Sequence, residues 1–190
     1  MDGAAERVLV QNDGPVDLVG YSMGGRLALH VAATRPGVVR RLVLVSASPG
    51  LRTPEERTAR RALDAERAAA LAADLPGFVE RWYRLPLFGL PDGLRQRLAA
   101  DRIAHADAAE LGRSLVGMGT GAQPSHWDAL AGISVPALAV AGARDAKFVR
   151  LARAMAEAGP VEVALVPGAA HHLPAEAPVA LAQTLTAFLS

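Results

Sequence analysis

Three residue types that together activate a hydroxyl occur at telling positions in this chain: a serine, a carboxylate and a histidine. Ser22 stands in Gly20-Tyr21-Ser22-Met23-Gly24, a Gly-x-Ser-x-Gly run. The apolar stretch Val16 to Gly20 precedes it, and Leu27 to Ala33, rich in helix formers, follows. The five-residue pattern alone is weak, and its strand-before, helix-after setting is what gives it meaning. A serine on a sharp strand-to-helix turn is pushed off the end of a sheet, and glycines leave room for the tight backbone. Its hydroxyl is a poor nucleophile until a base takes its proton and an acid orients that base. Asp145 follows the apolar run ending at Gly142, and His171 follows the one ending at Val166. Such groups belong in loops beyond the carboxyl ends of parallel strands, and the chain order is serine, acid, base. The Met23 N–H, at the start of the helix, is a donor for charge developing on a substrate oxygen.

The other candidates rank lower by position. His172 adjoins His171 but directs its side chain elsewhere, and His30 lies inside the helix after the elbow as a packed or surface residue. His105 and His126 fall in the helical segment, where contact with substrate is one reading and a surface position the preferred one, while Asp128 comes before a strand, poorly placed to orient a base. No two histidines have the spacing of a metal-binding helix pair, so neither metal nor cofactor is expected.

The elements that must position these groups alternate. Val8-Leu9-Val10 is either a short strand or a helix remnant, and Asn12-Asp13-Gly14-Pro15 is a turn signal. The helix after Ser22 runs to about Thr34 before Arg35-Pro36-Gly37, and Arg41 to Ser46 reads as a strand covered on both faces. From residue 51 to 128 no convincing strand occurs, and helical spacing dominates. Thr53-Pro54-Glu55-Glu56 is a helix start, Pro76-Gly77 separates that helix from Phe78 to Tyr83, and further helices are expected at 92–103 and 106–118. Strands resume at Val135 to Gly142 and Val161 to Val166, with helices at 147–158 and 178–189. The expected organisation is a core half at 1–50, an inserted helical lid at 51–128, and a second core half at 129–190.

Composition sets limits on function. The 190 residues are 51% hydrophobic and 21% charged, ordinary for a globular domain. A formal net charge of +1 provides no field favouring nucleic acid or an anionic membrane surface. Lys147 is the only lysine among 20 basic residues, so any functional arginine must be argued by position. Zero cysteines exclude disulfides, thiolate metal sites and a cysteine nucleophile. With neither an apolar secretory core near Met1 nor a run of membrane-spanning length, the expectation is a cytoplasmic protein.

Further motifs occur together: Arg26 after the elbow, Glu55-Glu56-Arg57 with Arg60, Trp82-Tyr83, Pro86-Leu87-Phe88, Met118-Gly119-Thr120-Gly121, Gln123-Pro124 and Asp145-Ala146-Lys147-Phe148. This set resembles the 2-succinyl-6-hydroxy-2,4-cyclohexadiene-1-carboxylate synthases of menaquinone biosynthesis, which have the α/β-hydrolase fold. The resemblance runs from about Val16 to the C-terminus, and the lid motifs are more specific than the elbow. It implies a lyase that eliminates pyruvate from an enolpyruvyl cyclohexene carboxylate, with Ser22, His171 and Asp145 as its triad. It also implies a small-molecule substrate bearing several carboxylates, gripped by Arg26, Arg60 and Arg102 and walled by Tyr21, Trp82 and Tyr83. Homo-oligomerisation is left open.

The chain departs from that family at its front. Members carry several strands before the elbow and a His-Gly loop that gives a second oxyanion donor, and this chain has no His-Gly pair. The sheet is therefore expected to be N-terminally incomplete, with the elbow strand an unpaired apolar edge. Around His171 the family reads Gly-His-x-x-His-Leu-Glu-x-Pro, whereas this chain has Ala170-His171-His172-Leu173-Pro174-Ala175-Glu176-Ala177-Pro178. His171, Glu176 and Pro178 keep register. Two other readings stay open: a carboxylesterase or lactonase, on the elbow and triad alone, and a non-catalytic remnant or interaction module, on the short front.

Overall fold

The apolar runs become the strands of a parallel sheet. In chain order the elements are α1 (Asp2–Leu9), β1 (Val16–Tyr21), α2 (Met23–Thr34), β2 (Val39–Val45), α3 (Pro54–Ala73), α4 (Leu75–Tyr83) and α5 (Asp92–His105). Then follow α6 (Ala108–Met118), a 3-10 turn (Leu130–Gly132), β3 (Ala137–Gly142), α7 (Ala146–Ala158), β4 (Val161–Val166), α8 (Leu173–Glu176) and α9 (Pro178–Leu189). The computed structural model describes residues 1–9 and 14–190. It divides into a core unit, Met1–Gly50 with Ser125–Ser190, and a helical unit, Leu51–Pro124.

In the core unit the strands lie in the order β1-β2-β3-β4, all parallel. Val19 pairs with Val43, Val43 with Leu138, and Ala139 with Val163. Every residue of β3 is buried, as are Leu42 to Val45 of β2, which accounts for their unbroken apolar sequence. One face packs Val43, Val45, Leu138, Val140 and Val166 against Leu181, Leu185 and Phe188 of α9. Helix α9 has no side-chain cap, so apolar burial holds it rather than local capping. Among the described residues β1 is an edge strand, with Val19 41% exposed. Polar bonds fasten the start of β1 to β2, and β2 to the C-terminal residues. Asp17 accepts a two-pronged contact from Arg40 at 2.8 and 2.7 Å, and Arg41 donates to the carbonyls of Leu189 and Ser190, each at 2.9 Å.

The N-terminal segment is helical, with Ala5 buried. Asn12 and Asp13 of the expected turn lie outside the described residues. His30 of α2 donates from Nε2 to the Asp2 carboxylate at 2.8 Å, and its Nδ1 shares a hydrogen bond with His126 Nε2 at 3.0 Å. His126 is thus a buried core residue and not a surface position of the helical segment. Its N–H donates to the Pro49 carbonyl at 2.8 Å, and Trp127 Nε1 donates to the Gly50 carbonyl at 2.9 Å. These bonds draw residues 125–128 into the core, so the helical unit ends at Pro124, short of residue 128.

Within the helical unit, Thr53 accepts from the Glu56 N–H while the Glu56 carboxylate accepts from the Thr53 N–H, a complete capping box. Helix α4 begins earlier than the Pro-Gly signal suggests. Asp74 caps it by accepting from the Gly77 N–H at 2.9 Å, and Pro76 sits in the first turn, where a missing N–H costs nothing. Val79, Tyr83 and Ala99 form the unit's core with Leu75, Leu90, Leu98 and Ile103 around them. Among the described residues no helix is long and apolar enough to cross a membrane.

Burial and the neighbouring His30 lower the His126 pKa from the usual 6.5 to about 4. Between those values the unfolded chain binds a proton that the native chain refuses, so stability falls as pH drops through that window. Urea midpoints measured from pH 7 to 4.5 are expected to decline, and His126→Gln to flatten the decline between pH 6.5 and 5. Identical slopes in both proteins would show that His126 protonates freely in the native state.

Candidate active site

Ser22 is a product of β1 and α2 colliding closely. A Cβ on Gly20 would strike the Gly24 carbonyl, and one on Gly25 would lie 2.7 Å from the Gly20 carbonyl oxygen, so strand and helix meet backbone to backbone. The turn between them forces Ser22 to φ 50° and ψ −109°, a conformation side-chain-bearing residues rarely adopt. Two bonds fix it: the Ser22 N–H donates to Val45 at 2.8 Å, and the Ser22 carbonyl accepts from the Arg26 N–H at 3.1 Å. Ser22 caps α2, so the Met23 N–H is the first of that helix, at the positive end of its dipole.

Asp145 and His171 reach the same point from the next strands. Asp145 caps α7 just beyond β3, and His171 lies in the loop beyond β4. The two loops are bonded to each other: Ala143 N–H to Val166 and Arg144 N–H to Ala169, each at 2.9 Å. Gly142 permits this closeness, since a Cβ there would meet the carbonyls of Ala169 and Ala170.

The three side chains form one line. His171 Nδ1–H donates to Asp145 Oδ2 at 3.1 Å, and that fixed tautomer leaves Nε2 to accept the Ser22 hydroxyl, also at 3.1 Å. Asp145 Oδ1 accepts from the Phe148 N–H at 3.1 Å, and the Phe148 ring lies 4.6 Å from the imidazole. Asp145 and His171 are 5% and 3% exposed, so their attraction acts in a poorly screened interior. This arrangement can move a proton off the Ser22 hydroxyl and stabilise the imidazolium that results.

The supporting residues include two that the sequence reading did not single out for this task. Glu176 accepts from the N–H groups of Ala170 and His172, both at 2.9 Å, clasping the loop on either side of His171. Ser46, buried and at φ 47°, donates to the His171 carbonyl at 3.2 Å. Glu176 was visible only as a residue in register with a family pattern, and Ser46 left no local signal.

The remaining candidates fall into two groups. Tyr21 and Arg26 flank Ser22 in the core unit, with the Tyr21 ring 5.7 Å from His171 and 5.5 Å from His172. In the helical unit, Arg60 and Trp82 are half-buried and Arg102 is exposed. Trp82 stacks on Phe78 and carries the Arg67 guanidinium 5.5 Å above its ring. Tyr83, expected as a wall for substrate, instead packs in the core of its own unit, 8% exposed and 5.4 Å from Phe88, because it faces inward with Val79 on the apolar side of α4.

The Gly20 contact generates a sharp expectation. Gly20→Ala sets a methyl against backbone that cannot yield, and overpacking of that kind costs about 1–3 kcal/mol, with rigid backbone placing this case toward the upper end. Thermal unfolding should show a marked loss of Tm. An unchanged Tm would mean that β1 and α2 do not touch.

Comparisons with known proteins bear on the fold and the family. The Alpha/beta hydrolase family matches residues 2–184. A putative 2-succinyl-6-hydroxy-2,4-cyclohexadiene-1-carboxylate synthase of Bacillus subtilis (strain 168) is 38% identical, covering 92% of this chain and 66% of that protein. The synthase of Pectobacterium atrosepticum is 35% identical, covering 91% of this chain and 68% of that protein. The chain thus spans about two thirds of the length of these curated relatives. Among solved structures, MenH from S. aureus matches with a TM-score of 0.90 at 32% identity, over 98% of this chain and 73% of that one. A thermophilic esterase from Thermogutta terrifontis matches at 0.79, and its 24% identity carries the fold alone. The chain belongs to the α/β hydrolase family and, within it, to the 2-succinyl-6-hydroxy-2,4-cyclohexadiene-1-carboxylate synthases.

Proposed function

We propose that the chain is a carbon–oxygen lyase of menaquinone biosynthesis, eliminating pyruvate from 2-succinyl-5-enolpyruvyl-6-hydroxy-3-cyclohexene-1-carboxylate. The observation that carries this reading is the 3.1 Å contact of the Ser22 hydroxyl with His171 Nε2, in a chain of that family. His171, backed by Asp145, takes the Ser22 proton, and the Ser22 oxygen removes a ring proton next to the succinyl carbonyl. The released pair forms a new ring double bond, the existing one shifts, and the bond to the enolpyruvyl oxygen breaks. Ser22 keeps the ring proton as its hydroxyl, and the departing enolate takes the His171 imidazolium proton at carbon to become pyruvate, which restores the neutral imidazole. The Met23 N–H stabilises negative charge on the carbonyl oxygen in the transition state.

Arg26 follows Ser22 by one helical turn and supplies a guanidinium for a substrate carboxylate, with Tyr21 as a wall. Arg60, Arg102 and Trp82 are proposed, on the family resemblance, to contribute further contacts. The setting is cytoplasmic, and no cofactor enters the scheme.

A coupled assay of pyruvate release tests this. Wild-type turnover with a drop in kcat of about 1,000-fold or more in Ser22→Ala is expected, as for other triads acting as a unit. Equal rates would remove Ser22 from the mechanism. The same hydroxyl–imidazole pair suits ester hydrolysis, so a nitrophenyl ester and a fluorophosphonate label on Ser22 provide the comparison. Ester turnover without pyruvate release would replace the lyase reading with a hydrolase.

A further inference from the structure

Asp64, in the middle of α3, is 2% exposed. A carboxylate so far from water needs compensating charge, and two arginines of the same helix supply it. Arg60 donates from Nε to Asp64 Oδ1 at 2.8 Å, and Arg67 Nη1 lies 3.6 Å from the same oxygen. The second oxygen, Oδ2, has no hydrogen-bond partner among the described residues. It lies against Gly119, where a Cβ would collide with it. Two residues on, a Cβ at Gly121 would come within 2.6 Å of the Arg61 nitrogen, and the Gly121 carbonyl accepts from Arg61 Nη1 at 3.1 Å. Gly119 and Gly121 therefore bring the backbone of the Met118-Gly119-Thr120-Gly121 run directly against α3. Gly119 supplies the notch that lodges the Asp64 carboxylate.

This lodging determines what Arg60 can do. A guanidinium grips a carboxylate either along its Nε/Nη2 side or across its Nη1/Nη2 end. The Nε–H is committed to Asp64, and the two terminal nitrogens have no hydrogen-bond partner among the described residues. Only the end-on fork remains. We propose that Asp64 is a positioning residue: seated against Gly119, it fixes Arg60 by its Nε edge and presets the Nη1/Nη2 fork for one carboxylate of the substrate. The proposal rests on the reading above that Arg60 contacts substrate.

Steady-state kinetics of pyruvate release in Asp64→Ala, Asp64→Asn, Arg60→Ala and the Asp64→Ala/Arg60→Ala double variant test it, with ¹⁵N-arginine NMR of the substrate-free protein alongside. Asp64→Ala should raise KM about tenfold with kcat within about twofold, the signature of lost binding shared by ground and transition states. Asp64→Asn, which keeps an acceptor but not the charge, should fall between, and it carries the comparison should Asp64→Ala not fold. The double variant should be no worse than Arg60→Ala alone, since Asp64 acts through Arg60. The Arg60 Nε–H resonance should exchange slowly with solvent in the wild type and rapidly in Asp64→Ala, whether or not substrate turns over. Additive effects in the double variant, an unchanged KM in Asp64→Ala, or a freely exchanging wild-type Nε–H overturns the proposal. An unchanged KM in Arg60→Ala with a protected Nε–H overturns it differently, by removing the substrate role of Arg60 and leaving the ion pair intact.

Discussion

Where Gly20 lies against Gly24, strand β1 and helix α2 touch without any side chain between them. That close approach leaves the connecting residue too little room for ordinary backbone angles, and Ser22 absorbs the difference at φ 50°. Strain of this kind persists only where the surroundings over-determine it. Here Val45 anchors the Ser22 N–H, and the first turn of α2 takes its carbonyl. The same contact starts α2 at Met23, so one packing constraint sets both the hydroxyl and the N–H beside it.

The acid and base are positioned by polar satisfaction more than by steric force. His171 cannot turn without breaking its bond to Asp145, and its loop cannot move without releasing the two N–H groups clasped by Glu176. Asp145 has its own two oxygens occupied, one by the imidazole and one by the Phe148 N–H that opens α7. Asp145 and Asp64 are both buried carboxylates, yet they act differently. Asp145 settles the tautomer of a histidine, and Asp64 selects which edge of an arginine stays available.

Much of this was legible in the chain itself. Strands β2 and β3 are covered on both faces, so they had to be nearly unbroken apolar runs, and their alternation with helices pointed to a parallel sheet. The α/β-hydrolase fold itself was implied by the elbow, the serine–acid–base order and the family resemblance. The capping box at Thr53 and Glu56 is likewise a local device with a local signature. What escaped was decided at a distance. His126 looks like a polar residue at the end of a helical segment, and only its bonds to Pro49 and His30 bury it. Tyr83 carries no mark to distinguish an inward ring from a substrate wall. Pro76-Gly77 reads as a break, but Asp74 turns the pair into the first turn of α4. The short helix α8 is tied by the Glu176 clasp rather than by propensity.

The bonds from His126 to Pro49 and from Trp127 to Gly50 have a topological meaning. They join the chain just before it leaves the core unit to the chain just after it returns. To the parallel sheet, everything from Leu51 to Pro124 is therefore a single loop whose ends are already knotted together. The closure entropy of a loop grows only slowly with its length, and here its mouth is held shut by the core. Helices can be lengthened, shortened or re-lettered inside that loop without disturbing the strands that carry Ser22, Asp145 and His171.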